Sequence, residues 1–324
     1  MHAARATFLG APVLLCVAGC ASLSGLTGGE ADASADHKTG DAGVHPHADA
    51  AAGTDAHAAD AHDASAHDAS THDSSPAKDA GLGRYAAAVL GDSPLAYYPM
   101  DETSGTVMHD LGPLHLNGTY GTGVTLGAAG LVPSSSAHAP QFPGATPATT
   151  NIASVPPASP LEPVNALSVE LFVEEDIVNP TQSAIDLVSE GPVASQPFSV
   201  QLSLNNTFQL YLPTVSPGVQ FPGADFIGPT VLVPGKVYQV VVTYDGSTAS
   251  LYVNGALNAS AAATGTLNYA ALEGFGLGVG GGFDEPFRVA LTGRLGQVSV
   301  YGAALTASEV AAHWAAAGGA DGGA

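Results

Sequence analysis

Cysteine is nearly absent. The chain of 324 residues has two, Cys16 and Cys20, both at its start. No disulfide can staple the rest of the chain, and zinc-finger and thiol-nucleophile chemistry are excluded there. Basic residues are scarce too. Seven Lys and Arg stand against 29 Asp and Glu, a formal net charge of −22. Phosphates are repelled by such a surface, so nucleic acid is excluded as a partner, while divalent cations are not. No GxSxG, HExxH or P-loop motif occurs. The apolar stretch from Phe8 to Ala18 is too short, and too interrupted by Gly10 and Pro12, to span a bilayer permanently.

The most informative stretch is Lys236 to Asn258, KVYQVVVTYDGSTASLYVNGALN. Tyr238, Val240, Val242 and Tyr244 fall on one face of a strand, and Val237, Val241 and Thr243 on the other. Asp245-Gly246 and Asn254-Gly255 are hairpin dipeptides, because Gly, Asn and Asp tolerate positive φ. Further strand patterns lie at 94–100, 168–175, 184–189, 198–204, 208–212, 250–253, 275–279 and 289–301. One helix is predicted over 306–316: Thr306 and Glu309 form a capping box, and Gly318-Gly319 ends it. Val310 and Trp314 share a face of it, which gives the single Trp a packing role; sugar stacking is the other reading. Many short strands between turns predict an all-β fold, a two-sheet antiparallel jelly-roll sandwich with one short C-terminal helix.

Residues 21–81 differ in kind. Ala, Asp, His, Gly and Ser dominate, with almost no Leu, Ile, Val or aromatic residue after Leu26. Such a segment buries too little apolar surface to offset its ordering entropy, so a disordered linker is expected. A flexible chain of that size spans roughly 40–45 Å. Within it a five-residue near-repeat carries His57, His62, His67 and His72. Imidazole beside carboxylate suits Zn, Cu or Ni, and a solvated spacer grown by repeat slippage is the alternative.

The chain resembles known families in two places. Residues 1–20, ending Val17-Ala18-Gly19-Cys20, resemble a bacterial lipoprotein signal peptide with its lipobox. That implies cleavage before Cys20, acylation of its thiol (palmitate among the chains) and a membrane anchor. An ordinary signal peptide with a chance Cys is the alternative. Ala21, in place of a retaining Asp, points to the outer membrane of a cell envelope. Residues 82–318, with a disordered tail at 319–324, resemble the laminin-G-like, concanavalin A-like jelly roll of bacterial surface proteins. The resemblance rests on four motifs in the family's order: RYAAAVLGDSPLAYYPMDETSGTVMHDLGPLHLNGTY (84–120), SVELFVEE (168–175), VYQVVVTYDGSTASLYVNGALNAS (237–260) and LTGRLGQVSVYGAALTASEVAAHWAA (291–316).

This resemblance implies non-catalytic recognition of glycans or protein partners, as in adhesion or substrate capture. Hydrolases on the same fold carry two carboxylates flanking an Asp on one strand. Glu170 and Glu174 share a strand face here, but Phe172 stands between them and supplies no partner to split their pKa values. No enzyme is therefore expected. A polysaccharide-degrading glycoside hydrolase and a structural envelope lipoprotein are the alternatives. The family also implies one Ca²⁺, with Asp101, Asp110 and Asn117 as its ligands; turn-making is their other role. Sugar binding needs aromatic platforms on a concave face or loop tips, and Tyr211, Tyr252, Phe226 and Phe283 are the candidates, with core packing as their alternative. Alternating Gly274, Gly276, Gly278 and Gly280 leave one strand face bare, as in a close sheet contact or a groove floor.

Overall fold

The computed structural model describes residues 80–144, 150–178, 184–190, 196–203, 205–215, 218–220, 229–269, 274–277 and 290–319. All of them belong to one unit, Ser70–Ala324. The signal segment with Cys20, the linker histidines His57, His62, His67 and His72, and both Phe226 and Phe283 lie outside the described residues. Among the described residues no helix is long and apolar enough to cross a membrane.

In chain order the elements are α1 (Ala80–Gly91), β1 (Ala96–Tyr98), β2 (Val107–Met108), β3 (Gly118–Tyr120), β4 (Thr125–Ala129), β5 (His138–Pro143) and β6 (Ala153–Val155). Then come β7 (Leu167–Glu175), β8 (Ile185–Glu190), β9 (Ser199–Leu202), β10 (Phe208–Leu212), β11 (Val219–Gln220) and β12 (Val237–Tyr244). The chain continues with β13 (Thr248–Val253), β14 (Ala256–Ala262), β15 (Phe275–Leu277), β16 (Thr292–Tyr301) and α2 (Ala307–Ala316). Sheet 1 has the order β14-β13-β12-β7-β16-β5-β4, with β1 also on β16; sheet 2 runs β11-β10-β9-β8-β15-β6-β3-β2. All pairings are antiparallel, as expected of a jelly-roll sandwich.

The core lies between the sheets. β7 contributes Leu167, Val169, Leu171 and Val173, and β12 contributes Tyr238, Val240, Val242 and Tyr244. From sheet 2 they meet residues such as Val200, Leu202, Phe208 and Leu210. Phe208 and Tyr238 touch edge to face across the sandwich at 5.6 Å. Each such side chain stabilises the fold by about 1.5–3 kcal/mol when fully buried.

The hairpin forms where its turn chemistry places it. Val253 pairs with Ala256, and between them Asn254 and Gly255 have φ of 51° and 78°. That is the geometry of a type I′ turn. A Cβ on Gly255 would lie 2.8 Å from the Cβ of Trp314, so glycine also lets α2 approach. At the other turn Asp245 Oδ1 accepts from the amides of Ser247 and Thr248 at 2.8 and 2.7 Å. Helix α2 starts at its expected cap: Glu309 N donates to Thr306 Oγ1 and Thr306 N to Glu309 Oε2, at 3.3 and 2.7 Å.

One expectation is corrected. A second helix, α1, covers Ala80–Gly91 and runs across the expected linker boundary at residue 81. Gly81 and Gly83 disfavour it locally, but Tyr85 and Val89, one turn apart, are both wholly buried against sheet 1. Tertiary burial outweighs propensity here.

Candidate functional site

On β7, alternation sends Glu170, Phe172 and Glu174 to the face of sheet 1 away from the core. All nine residues of β7 are nevertheless buried, because α1 and α2 lie over that face. Phe172 packs edge to face with Tyr85 of α1 at 5.3 Å and stacks with Trp314 of α2 at 6.3 Å. Trp314 is thus a packing residue. Tyr252 is 8% exposed within the same layer, so it is no platform for a sugar; the outer position on β13 lies under a helix.

Glu170 is the centre of this layer, with 0% exposure. Its Oε1 accepts from Tyr85 Oη at 2.9 Å and from Gln239 Nε2 at 2.7 Å. Its Oε2 meets His313 Nδ1 of α2 at 2.7 Å. On the other side of the imidazole, Asp92 Oδ2, just past α1, makes an ionic contact with Nε2 at 2.9 Å. Burial alone would lower the His313 pKa, but hydrogen bonding to Glu170, its charge and that of Asp92 hold it above the ordinary value. Burial, then the Glu170 charge, pushes the Tyr85, Tyr97 and Tyr301 phenols up, so they serve as neutral groups. An open groove between the helices is lined by Asp92 and His313 but not by Glu170. Glu174 pairs with Arg294. The predicted carboxylate pair is therefore real as a shared face, and both members are held by protein groups.

The proposed Ca²⁺ ligands close a loop instead of converging on a point. Asp110 is 4% exposed. Its Oδ1 accepts from Tyr97 N and Gly112 N at 2.9 and 2.7 Å, and its Oδ2 from Leu116 N at 2.9 Å. Asn117 Oδ1 accepts from Asp110 N at 3.0 Å, and Asp101 stands exposed. Each of these Asp110 and Asn117 oxygens accepts a backbone N–H, the arrangement of a turn, which is the other role expected of these residues. Among the described residues no cluster of three or more His, Cys, Asp or Glu could hold a metal.

Sheet 2 also turns a polar face outward. Phe208, Leu210 and Leu212 enter the core, so Gln209 and Tyr211 point away from it, and Tyr211 keeps part of its surface exposed. Cross-strand register aligns Thr119, Ser154, Gly276, Ser189, Ser199 and Tyr211 in one row. A second row joins Asp186, Gln201 and Gln209. Asp186 is 1% exposed; its Oδ1 accepts from Ser199 Oγ and Gln201 Nε2, both at 2.5 Å. Ser189 Oγ and Gln209 Nε2 are buried with no hydrogen-bond partner among the described residues. At the β3–β6 end the row opens into a groove of about 470 Å³ lined by Asn117, Thr119, Ser154, Pro156, Pro157 and Gly274. A Cβ at Gly274 would lie 2.1 Å from the Val155 carbonyl oxygen, so this position just before β15 must stay bare. The alternating glycines thus line a groove at Gly274 and enter the row at Gly276; Gly278 and Gly280 lie outside the described residues.

A family model described as the concanavalin A-like lectin/glucanases superfamily matches residues 147–311, half of the chain. The chain belongs to this superfamily. Among solved structures, the binding domain of Paraclostridial mosquitocidal protein 1 is 13% identical, with a TM-score of 0.51 over 69% of this chain and 52% of that one. This chain thus spans about half the length of that structure, and the likeness is one of fold. A Trypanosoma rangeli sialidase is 15% identical, with a TM-score of 0.48 over 68% of this chain and 32% of that one. Domain 4 of an extracellular arabinanase from Geobacillus stearothermophilus, solved with arabinotriose, is 19% identical, with a TM-score of 0.47 over 68% of this chain and 98% of that one. No curated protein matches the chain in sequence. Concanavalin A-like proteins include both sugar binders and hydrolases, so the choice between them falls to the outer faces of the two sheets.

Proposed function

We propose that this domain recognises glycans in the open groove at the β3–β6 end of sheet 2 and does not cleave them. The supporting observation is the contrast between a wholly enclosed Glu170 and the open groove at the β3–β6 end of sheet 2, where Asn117 and Thr119 are exposed and Ser154 half-buried. A glycosidase needs two carboxylates that reach the scissile bond, one of them protonated. Glu170 has both oxygens held by protein groups beneath two helices. Hydroxyl and amide side chains suit a ligand that is itself rich in hydroxyls, and Tyr211 offers a ring face to a sugar's apolar side. The lipobox-like Cys20 adds a lipid anchor in a cell envelope to this reading.

A glycan array probed with the full chain tests the proposal. Wild type is expected to retain glycans, and Ser154→Phe, which places a ring in the groove, to lose them. Retention by that variant would remove the groove from the reading. Glycan turnover abolished by Glu170→Gln would replace binding with hydrolysis as the function. Envelope proteins captured with no glycan retained would favour the structural role. For the anchor, Cys20→Ala should move the protein from the membrane to the soluble fraction; an unchanged distribution argues against acylation.

A further inference from the structure

We infer that Asn117 is the specificity-determining residue of the groove, a fixed donor that selects saccharides presenting a hydroxyl or carbonyl oxygen beside an apolar C–H face. The inference rests on the proposed glycan recognition and adds which atoms of the ligand are read. Asn117 stands immediately before β3 and lines the groove with an exposed side chain. Its Oδ1 accepts from Asp110 N at 3.0 Å. A backbone N–H can only donate, so the side-chain atom turned toward it is the carbonyl oxygen. The amide nitrogen is the atom left for a ligand. Among the described residues Nδ2 meets no protein acceptor. It carries two N–H groups and accepts nothing.

This donor is held from behind. Asp110 takes the amides of Tyr97, Gly112 and Leu116 at 2.9, 2.7 and 2.9 Å, and Asn117 N donates to His115 O at 3.2 Å. The Asn117 amide therefore has little rotamer freedom left to lose when a ligand arrives. Register supplies the rest of the groove. Thr119 lies two residues on, so alternation puts it on the same strand face as Asn117. It pairs directly with Ser154, which sets two hydroxyls side by side. Past β6, Pro156 and Pro157 add ring faces with no hydrogen to donate, and Gly274 keeps the neighbouring position open. An amide and hydroxyls beside apolar rings match the polar rim and C–H face of a sugar ring.

Asn117→Asp separates the two roles of this side chain. One carboxylate oxygen still accepts from Asp110 N, and the other is an acceptor where a donor stood. The full chain and this variant are compared on a glycan array, then by calorimetry with a saccharide that wild type retains. The variant is expected to bind about tenfold more weakly with an unchanged Tm. The loss should persist at high salt, because screening does not restore a donor. Equal affinity overturns the role of Asn117 and leaves glycan recognition intact. Weaker binding together with a lowered Tm also overturns it, by assigning the effect to the 110–117 loop. A wild type that retains no glycan overturns glycan recognition itself, and this inference with it. A second measurement needs no variant. In NMR spectra of wild type, the Asn117 side-chain amide protons should shift on saturation with the retained saccharide. Resonances that stay in place would take Nδ2 out of the contact.

Discussion

Each sheet turns a polar strand face away from the common core, and each face has a buried carboxylate near its middle, Glu170 on sheet 1 and Asp186 on sheet 2. Their surroundings differ. Over Glu170, two helices bring an imidazole, a phenol and stacked rings, and the carboxylate is enclosed. Asp186 accepts from a hydroxyl and an amide of the neighbouring strand of the same sheet, Ser199 and Gln201. A carboxylate on a central strand is therefore no sign of chemistry by itself; the groups that meet it decide its role.

The comparison can be broken in stages. Glu170→Ala should have the largest effect, a loss of about 3–5 kcal/mol in chemical denaturation, because a buried imidazole, phenol and amide lose their shared partner. Asp186→Ala should cost less, about 1–3 kcal/mol, since Ser199 and Gln201, two of the donors it abandons, are neutral. Equal losses would erase the distinction between the faces.

A pH series comes next. His313 faces Glu170 of β7, Asp92 and Tyr85 from α1 and its flank, Tyr301 of β16, and Glu309 of its own helix. Its folded pKa is raised. Below the ordinary histidine value of about 6.5 both folded and unfolded chains hold the proton, and the contribution is full. Above it the unfolded chain releases its proton first, so stability falls as pH rises through the folded pKa. The slope should reach at most about 1.4 kcal/mol per pH unit and be missing in His313→Gln. A profile that the substitution leaves unchanged would detach His313 from the layer's electrostatics. Ser189→Ala should shift stability by no more than about 0.5 kcal/mol. The smallest expected effect is none: melting midpoints in EDTA and in millimolar Ca²⁺ should coincide, because the Asp110 oxygens already hold the 97–116 loop. A midpoint raised by Ca²⁺ would restore the ion.

Much of the fold was readable in the sequence because its determinants are local. Tyr238 to Tyr244 alternate, Asn254-Gly255 imposes its turn, and Thr306 and Glu309 cap each other within four residues. β14 was harder to see: ALNASAA has little strand propensity, and the preceding turn together with pairing to β13 holds it in place. Helix α1 was hidden by its glycines. The Asp92–His313–Glu170 contact joins residues 143 positions apart at its longest hydrogen bond, and no local pattern marks His313 as more than one polar helix residue. Tyr85 and Val89 at helical spacing were the available signal. The sheet 2 row was equally out of reach, since Ser154, Gly276, Ser189 and Ser199 become neighbours only through register.

Helices α1 and α2 lie against one another on sheet 1, so the described domain begins and ends on a single side. An attachment made after α2, whether a fluorophore, an affinity handle or a bead, leaves the sheet 2 groove facing the other way. Two copies joined back to back through that side would present their grooves in opposite directions. Such a pair would bridge two separate strands of a polymer more readily than it would grip one strand twice.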